Sequence, residues 1–254
     1  YIIGTSAGIT YGMSYVAKQK GRNREMIRRF VRNPRYMGMF HRINPFNASY
    51  YNMKYVFDTI PNRLLPVDCE TLQKYQGDAI AVLTDMETGD PEYMPVPCDD
   101  KSWKVLRATC ALPLLFKPIT IDGHIYADGG VADSIPFRKA LEDGCDRVIV
   151  VLTRERSYRK TAESATNYAV NHYRKKYPAY AEKIKNRHER YNACIDELAE
   201  CEANGEVYVI APEDTLGVGR TEKDVSKLMA LYAQGYAITM QQMSALKAYI
   251  DDEF

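Results

Sequence analysis

The feature that most constrains the fold is a five-residue turn, Gly4-Thr5-Ser6-Ala7-Gly8, between an apolar stub and a helical stretch. Tyr1-Ile2-Ile3 predicts the end of a buried strand, and residues 7–18 predict a helix. A serine on such a tight turn needs a strained backbone and small neighbours, and the two glycines supply the space. The turn therefore predicts a serine nucleophile at the edge of a sheet, although a structural glycine turn or a phosphate-binding turn has the same composition.

The rest of the chain alternates strands with helices and predicts an α/β fold with a mainly parallel central sheet. Apolar runs predict strands at 79–84, 93–96, 147–153 and 207–211, and Asp122-Gly123 predicts a hairpin within 119–127. Helical patterns cover residues 23–32, 101–110, 136–144, 161–203 and 221–250, with a long surface excursion at 34–67. We expect a catalytic α/β core over residues 1–155 and a helical region with one further strand, packed on that core, over 156–254.

Composition excludes several classes of protein. The 34 Lys and Arg residues against 33 Asp and Glu give a net charge of +1, so no global field favours nucleic acid. The longest apolar run, Val148 to Leu152, is far too short to span a bilayer. Six cysteines without a Cys-x-x-Cys pair predict reduced thiols in a cytoplasmic protein, with no metal site and no cofactor.

The charges are distributed unevenly along the chain. Residues 18–42 contain nine Lys and Arg residues and one acid, Glu25, for a net charge of +8. One interpretation is a set of solvated helix faces that pair with acidic residues elsewhere. The other is a basic surface for anionic head groups, which would make the protein peripheral to membranes.

A second motif, Tyr126-Ala127-Asp128-Gly129-Gly130, follows the predicted hairpin. An aspartate at the end of an apolar strand lies at the functional edge of a sheet, and the two glycines allow close approach of another backbone or of a substrate. Asp-Gly-Gly on its own is usually a turn, so the significance of Asp128 depends on Ser6 upstream.

Two further stretches complete a family pattern. Residues 107–116 (RATCALPLLF) have the pattern A-S-x-A-x-P with Thr109 in place of serine, and residues 131–136 (VADSIP) have the pattern D-x-x-P. Taken in order with G-x-S-x-G and D-G-G, these stretches resemble the patatin-like phospholipases. The resemblance covers residues 1 to about 155 well. The sequences of residues 57–62 and 152–154 are similar to those of a bacterial, cytosolic branch of the family.

The resemblance implies a three-layer α/β fold and a lipid acyl hydrolase of the phospholipase A or esterase type. It implies that Ser6 is the nucleophile, that Asp128 is the general base, and that no histidine takes part. Gly4, Gly8, Gly129 and Gly130 would support the two motifs. The substrate would be a lipid or another ester, which joins Ser6 as an acyl-enzyme.

The resemblance also implies where the oxyanion is bound. The Ala7 N–H would supply one donor, and a glycine-rich loop of the form G-G-G-x-R/K-G, which precedes the nucleophile strand in the family, would supply the others. This loop does not occur in the 254 residues. We therefore expect roughly 30 to 40 further residues before Tyr1 in the natural protein, enough for one strand, one loop and one helix.

Two alternatives stay open. The first is an esterase with a Ser-His-Asp triad that uses one of the four histidines, His41, His124, His172 and His188. Asp128 followed by His172 or His188 has the chain order of the α/β-hydrolases. The second is a non-catalytic protein that binds anionic membranes through its basic helices.

Tyrosine and methionine are concentrated between residues 11 and 55. One interpretation of this cluster is core and half-buried cover. The other is a groove for an acyl chain, with residues 34–57 as a lid, because flexible methionine and amphipathic tyrosine suit an apolar ligand at a wet edge.

Overall fold

The computed structural model describes residues 1–43, 47, 49–162 and 164–251, which form two compact units. Unit 1 comprises Tyr1–Pro136 and Thr161–Glu189, and unit 2 comprises Phe137–Lys160 and the chain from Arg190 onward. This division differs from the expected boundary near residue 155, because residues 161–189 pack with the N-terminal part of the chain. Residues 44–46 and 48 of the predicted excursion, and residue 163 of a predicted helical stretch, lie outside the described residues.

The elements follow the predicted order. Up to residue 131 they are β1 (Ile2–Thr5), α1 (Ala7–Val16), α2 (Arg22–Phe30), α3 (Met39–Ile43), a π-helix (Tyr55–Leu64), α4 (Cys69–Gln73), β2 (Ala79–Asp85), β3 (Pro91–Pro95), α5 (Lys104–Thr109), β4 (Ile119–Ile121), β5 (His124–Asp128) and a 3₁₀-helix (Gly129–Val131). From residue 137 they are α6 (Phe137–Glu142), β6 (Val148–Val151), α7 (Ser164–Tyr173), α8 (Pro178–Lys185), α9 (Arg187–Ala203), β7 (Val207–Ile210), α10 (Val225–Gln241) and α11 (Met243–Asp251).

The α/β class is confirmed, and the sheet of unit 1 is mixed. β1 pairs with β2 in parallel, as expected for the strand that carries Ser6. β3 and β5 both pair with β2 antiparallel, and β4 pairs with β5 antiparallel. The antiparallel share is larger than the sequence indicated because β2–β3 and β4–β5 are joined by short turns, which return the chain in the opposite direction.

β1 and β5 share one edge of β2. β3 pairs with β2 from Ile80 to Thr84 and occupies the other edge. On the shared edge, β1 ends with Thr5 opposite Val82, and β5 ends with Asp128 opposite Leu83. The carboxyl ends of the two strands therefore meet at adjacent positions of β2.

The main core of unit 1 surrounds β2, whose residues Ala81, Val82 and Leu83 are fully buried. The predicted excursion at 34–67 contains a π-helix that the sequence did not indicate, because Pro61 and the neighbouring polar residues suggested a loop. This helix is attached to the start of α5, since the Trp103 indole N–H donates to Asn62 Oδ1 at 3.0 Å. Trp103 itself is only 3% exposed.

The helical regions are more divided than the sequence indicated. The predicted helix at 161–203 is three helices, with Pro178 at the first position of α8, where its missing N–H is tolerated. The predicted helix at 221–250 is two helices that meet at Gln242. In unit 2, β6 and β7 form a parallel pair, and the Val148 N–H donates to the Tyr249 hydroxyl of α11 at 3.0 Å.

We expect Leu83→Ala to lower the free energy of unfolding of unit 1 by about 2–5 kcal/mol, because it leaves a cavity beside the central strand. Trp103 is the single tryptophan of the chain, so its fluorescence during urea unfolding reports on unit 1. Leu64→Ala is the matched control, since Leu64 is 41% exposed. Equal midpoints for the two variants would contradict this account of the core.

Candidate active site

Ser6 has the backbone conformation that a strained turn requires. Its φ is 55° and its ψ is −124°, directly between the end of β1 and the first residue of α1. A non-glycine residue in such a region costs on the order of 1–3 kcal/mol and persists only when its surroundings hold it. Ser6 is half-buried, whereas Ala7 and Gly8 are exposed. The serine therefore lies at a surface that a substrate could reach.

Threonine hydroxyls hold this turn in place. The Ser6 N–H donates to Thr109 Oγ1 at 2.8 Å, and Thr109 Oγ1 donates to the Val82 carbonyl at 2.5 Å. Thr109 is fully buried, so its hydroxyl ties the serine to the central strand. From the other side, Thr10 Oγ1 donates to the Ser6 carbonyl at 3.0 Å. Thr109 is the residue that departs from the family pattern, and its hydroxyl gives a local reason for a serine or threonine there.

Two of the four motif glycines, Gly4 and Gly129, are required by close backbone contacts, and a third, Gly130, faces the ends of side chains. A Cβ on Gly4 would lie 2.8 Å from the Ile9 backbone nitrogen, and one on Gly129 would lie 2.0 Å from the Val82 carbonyl oxygen. A Cβ on Gly130 would lie 2.9 Å from Asp128 Oδ1. At Gly8, by contrast, no described atom lies within 4 Å of the added Cβ, so the expected steric need for a glycine is absent there among the described residues.

Asp128 is 1% exposed and is fixed through its backbone and its side chain. Its N–H donates to the Ala111 carbonyl at 3.0 Å, and its carbonyl accepts from Thr84 Oγ1 at 2.8 Å. Its Oδ1 accepts from the Gly130 N–H at 2.9 Å. The carboxylate is thus oriented by the turn that the Asp-Gly-Gly motif predicts.

The structure brings Ser6 and Asp128 together through the shared edge of β2, and Cys110 lies beside both. Burial raises the pKa of the Cys110 thiol to about 11, a hydrogen bond with the Ser6 side chain lowers it, and the charge of Asp128 raises it. The Thr10 hydroxyl lies 3.5 Å from the same sulfur. At neutral pH the thiol is therefore protonated. No sequence motif marks Cys110, because a lone cysteine after a helix has no characteristic pattern.

Three tyrosines, one buried and two half-buried, interact with Cys110. Burial raises the pKa of Tyr11 and of Tyr51 to about 12, and raises that of Tyr36 well above its usual value. Cys110 adds to the electrostatic shift of all three phenols, so the four side chains form one cluster. Tyr51 also stacks on Phe116 at a centroid distance of 5.4 Å. Tyr36 is buried and Tyr11 and Tyr51 are half-buried, which agrees with the interpretation of core and half-buried cover.

The four histidines contact other groups. His41 Nε2 lies 2.8 Å from the Pro34 carbonyl, and His124, at the hairpin turn, lies 3.5 Å from Asp85. His188 lies 3.9 Å from Glu189. His172 lines a cavity of about 420 Å³ formed by residues 114–118 and 168–177, a lining that contains neither Ser6 nor Asp128.

A strained serine at a strand-to-helix turn, next to the end of a strand that carries a buried aspartate, is typical of an α/β serine hydrolase. The family model "Patatin-like phospholipase" matches residues 1–141. This is more than half of the chain, and the chain belongs to the patatin-like phospholipase family, a family of lipid acyl hydrolases. The predicted family and the predicted class of hydrolase are confirmed at this level.

Two further comparisons give a second family model and one relative. The family model "Domain of unknown function (DUF6363)" matches residues 177–251. "Uncharacterized protein YjjU" of Escherichia coli (strain K12) is 22% identical over 155 residues, which are 59% of this chain and 42% of that protein. The chain therefore matches less than half the length of this relative. Over the described residues, no helix is both long enough and apolar enough to cross a bilayer.

We expect Thr109→Val to destabilise unit 1 by about 1–3 kcal/mol, because it leaves the Ser6 N–H and the Val82 carbonyl without this hydroxyl. Thr109→Ser keeps the hydroxyl and is the matched control. Urea unfolding followed by Trp103 fluorescence measures both variants. If valine is tolerated as well as serine, the hydroxyl does not hold the turn.

Proposed function

We propose that the protein is a serine lipid acyl hydrolase of the phospholipase A or esterase type, with Ser6 as nucleophile and Asp128 as general base. The observation that carries the proposal is the meeting of β1 and β5 on one edge of β2, which brings the strained Ser6 turn next to the buried Asp128 turn. A serine hydroxyl becomes a useful nucleophile only when a base within reach accepts its proton.

The reaction proceeds in two halves. In the first, Asp128 accepts the proton of Ser6 Oγ while this oxygen attacks the ester carbonyl, and the tetrahedral intermediate expels the alcohol, which takes the proton from Asp128. In the second, Asp128 accepts a proton from water and the hydroxide attacks the acyl-enzyme. The tetrahedral intermediate then expels Ser6 Oγ, which takes the proton back from Asp128 as the carboxylic acid is released. The scheme needs no cofactor and no metal ion.

The Ala7 N–H is our proposed first oxyanion donor. Ala7 is exposed and is the first residue of α1, a position whose N–H has no partner within the helix. The dipole of α1 favours negative charge at the same place. The remaining donors would lie upstream of Tyr1, in the glycine-rich loop that the family resemblance implies.

We expect Ser6→Ala and Asp128→Asn each to lower ester hydrolysis on the order of 10⁴-fold in the full-length protein, because alanine offers no nucleophile and the amide accepts no proton. Hydrolysis of p-nitrophenyl esters and of a phospholipid measures the effect, and a fluorophosphonate probe reports whether Ser6 is labelled. Asp128→Asn should also slow this labelling.

Ser102→Ala and Asp122→Asn are the matched controls, since both residues are exposed and lie outside the proposed site. Each should keep the activity of the parent protein. A Ser6→Ala protein that retains more than a few per cent of activity would rule out the nucleophile. A substitution of a single histidine by glutamine that is as inactive as Ser6→Ala would favour the triad instead.

We further propose that residues 18–42 contact anionic membrane surfaces. Their exposed arginines are Arg24, Arg28, Arg29, Arg32 and Arg35. Arg22, in contrast, is half-buried and donates to the Leu65 carbonyl at 2.8 Å, so it does not belong to this surface. Next to the arginines, α3 exposes Met39 by 61% and Phe40 by 86%. Cations beside exposed apolar side chains suit the interface of a bilayer.

The change from Arg28, Arg29 and Arg32 to Glu should reduce binding to anionic vesicles without changing the turnover of a soluble ester. Binding by the parent protein should fall as salt rises, because the Debye length shrinks from about 10 Å at 0.1 M to about 3 Å at 1 M. Sedimentation with anionic and with neutral vesicles measures this.

The matched control changes the same total charge elsewhere, at the three exposed cations Arg174, Lys175 and Lys176. This control variant should bind anionic vesicles much more tightly than the arginine variant. Equal loss of binding in both would indicate net charge alone, and equal binding to neutral and anionic vesicles would remove the proposal.

A further inference from the structure

The junction of α8 and α9 contacts the turn that carries Asp128, within unit 1. Arg187, the first residue of α9, donates from Nε to the Gly130 carbonyl at 2.5 Å. A Cβ atom built on Gly130 would lie 2.9 Å from Arg187 Nη2 and 2.9 Å from Asp128 Oδ1. The guanidinium and the carboxylate are therefore no more than about 6 Å apart, a range over which opposite charges interact strongly.

Tyr180 of α8 is completely buried and packs in one cluster with Ala127 and Val131, on either side of the Asp128 turn. Its hydroxyl has no hydrogen-bond partner among the described residues. Burial raises the pKa of this phenol well above its usual value, Asp128 raises it further, and Arg187 lowers it. The charges of Asp128 and Arg187 therefore both shift the pKa of this phenol, which is neutral at neutral pH.

We propose that Arg187 is a positioning residue for Asp128, which holds the Asp-Gly-Gly turn through the Gly130 carbonyl and keeps the buried carboxylate in its charged form. The inference rests on the proposed function, since it concerns the general base of that reaction. It also gives a role to the beginning of the segment that matches a domain of unknown function, because residues 177–189 belong to unit 1.

Burial and the neighbouring guanidinium act on the Asp128 carboxylate in opposite directions. A carboxylate that is 1% exposed loses most of its hydration, which favours the protonated form, and a nearby guanidinium opposes this. Asp128 also interacts with the Tyr180 phenol from α8 and with the Cys110 thiol after α5, and both of these groups are neutral at neutral pH. Arg187, by contrast, places a positive charge near the carboxylate. Without it, Asp128 would keep its proton up to a higher pH.

The experiment compares the pH profile of kcat/KM for a soluble ester in the full-length parent protein and three variants. Arg187→Gln keeps a donor for the Gly130 carbonyl but removes the charge, and it should move the acidic limb up by about 1–3 pH units. Arg187→Lys keeps a positive charge and should move the limb by less than about half a pH unit. Arg174→Met, at an exposed arginine of unit 1, should leave the limb unchanged.

Trp103 fluorescence during thermal unfolding shows whether each variant is folded. A folded Arg187→Gln protein that loses turnover with an unshifted acidic limb would overturn the proposal, since a purely structural role lowers the rate without moving the limb. If Arg187→Gln does not fold, Arg187→Lys decides the question, because a limb displaced by a full unit despite the retained charge would overturn the proposal equally.

A second measurement separates this inference from the proposed function. The carboxyl ¹³C resonance of Asp128, assigned by its loss in Asp128→Asn, reports the titration of the carboxylate without any turnover. Its midpoint should rise in Arg187→Gln. If the parent protein hydrolyses no ester but this midpoint rises, the proposed function fails and the link between Arg187 and Asp128 holds. If Ser6 and Asp128 are essential but the midpoint does not rise, only the role of Arg187 fails.

Discussion

The edge of β2 that β1 and β5 share is the constraint on which the rest of the site depends. A strand has two edges, and β3 occupies one of them along Ile80–Thr84. The other edge must serve both the parallel strand that ends at Thr5 and the antiparallel strand that ends at Asp128. The carboxyl ends of β1 and β5 can approach each other only if the residue after Asp128 has no side chain, because a Cβ on Gly129 would collide with the Val82 carbonyl. The register of β1 and β5 on β2 therefore determines how close Ser6 lies to Asp128.

The same crowding creates buried polar groups that must be satisfied. Where the ladder is interrupted, side-chain hydroxyls replace the missing backbone partners: Thr109 joins Ser6 to Val82, and Thr84 donates to the Asp128 carbonyl. An unsatisfied buried group costs about 1–3 kcal/mol, comparable with the backbone strain at Ser6. The hydroxyls therefore decide whether the strained turn persists.

The fold class and both motifs could be predicted from the sequence because their requirements are local. A strained serine needs small neighbours within the same turn, and the hairpin at Asp122-Gly123 needs two residues of suitable conformation, φ 49° and 87° in the structure. Thr109 lies 103 residues from Ser6, and Arg187 lies 57 residues from Gly130. The motif at residues 107–116 includes Thr109, but its spacing does not show that the hydroxyl reaches Ser6. An arginine at the start of α9 has no pattern that distinguishes it from the other residues of its helix. For Gly8, in contrast, the sequence predicted a steric role that the structure does not show, because the spacing of a motif does not reveal which side of a turn is open.

The boundary between the two units is hard to predict from the sequence for the same reason, since it depends on contacts between distant residues. Composition separates a catalytic part from a polar helical part near residue 155, because helices rich in Lys and Arg resemble solvated cover. In the structure residues 161–189 belong to unit 1, where Tyr173 and Tyr180 pack with Ala127 and Val131 in one cluster. Tyr180 is completely buried only because α7 and α8 cover the back of the Asp128 turn. The helices beyond the family match at residues 1–141 thus shield the carboxylate from water, and the exclusion of water is what makes a neighbouring cation such as Arg187 effective.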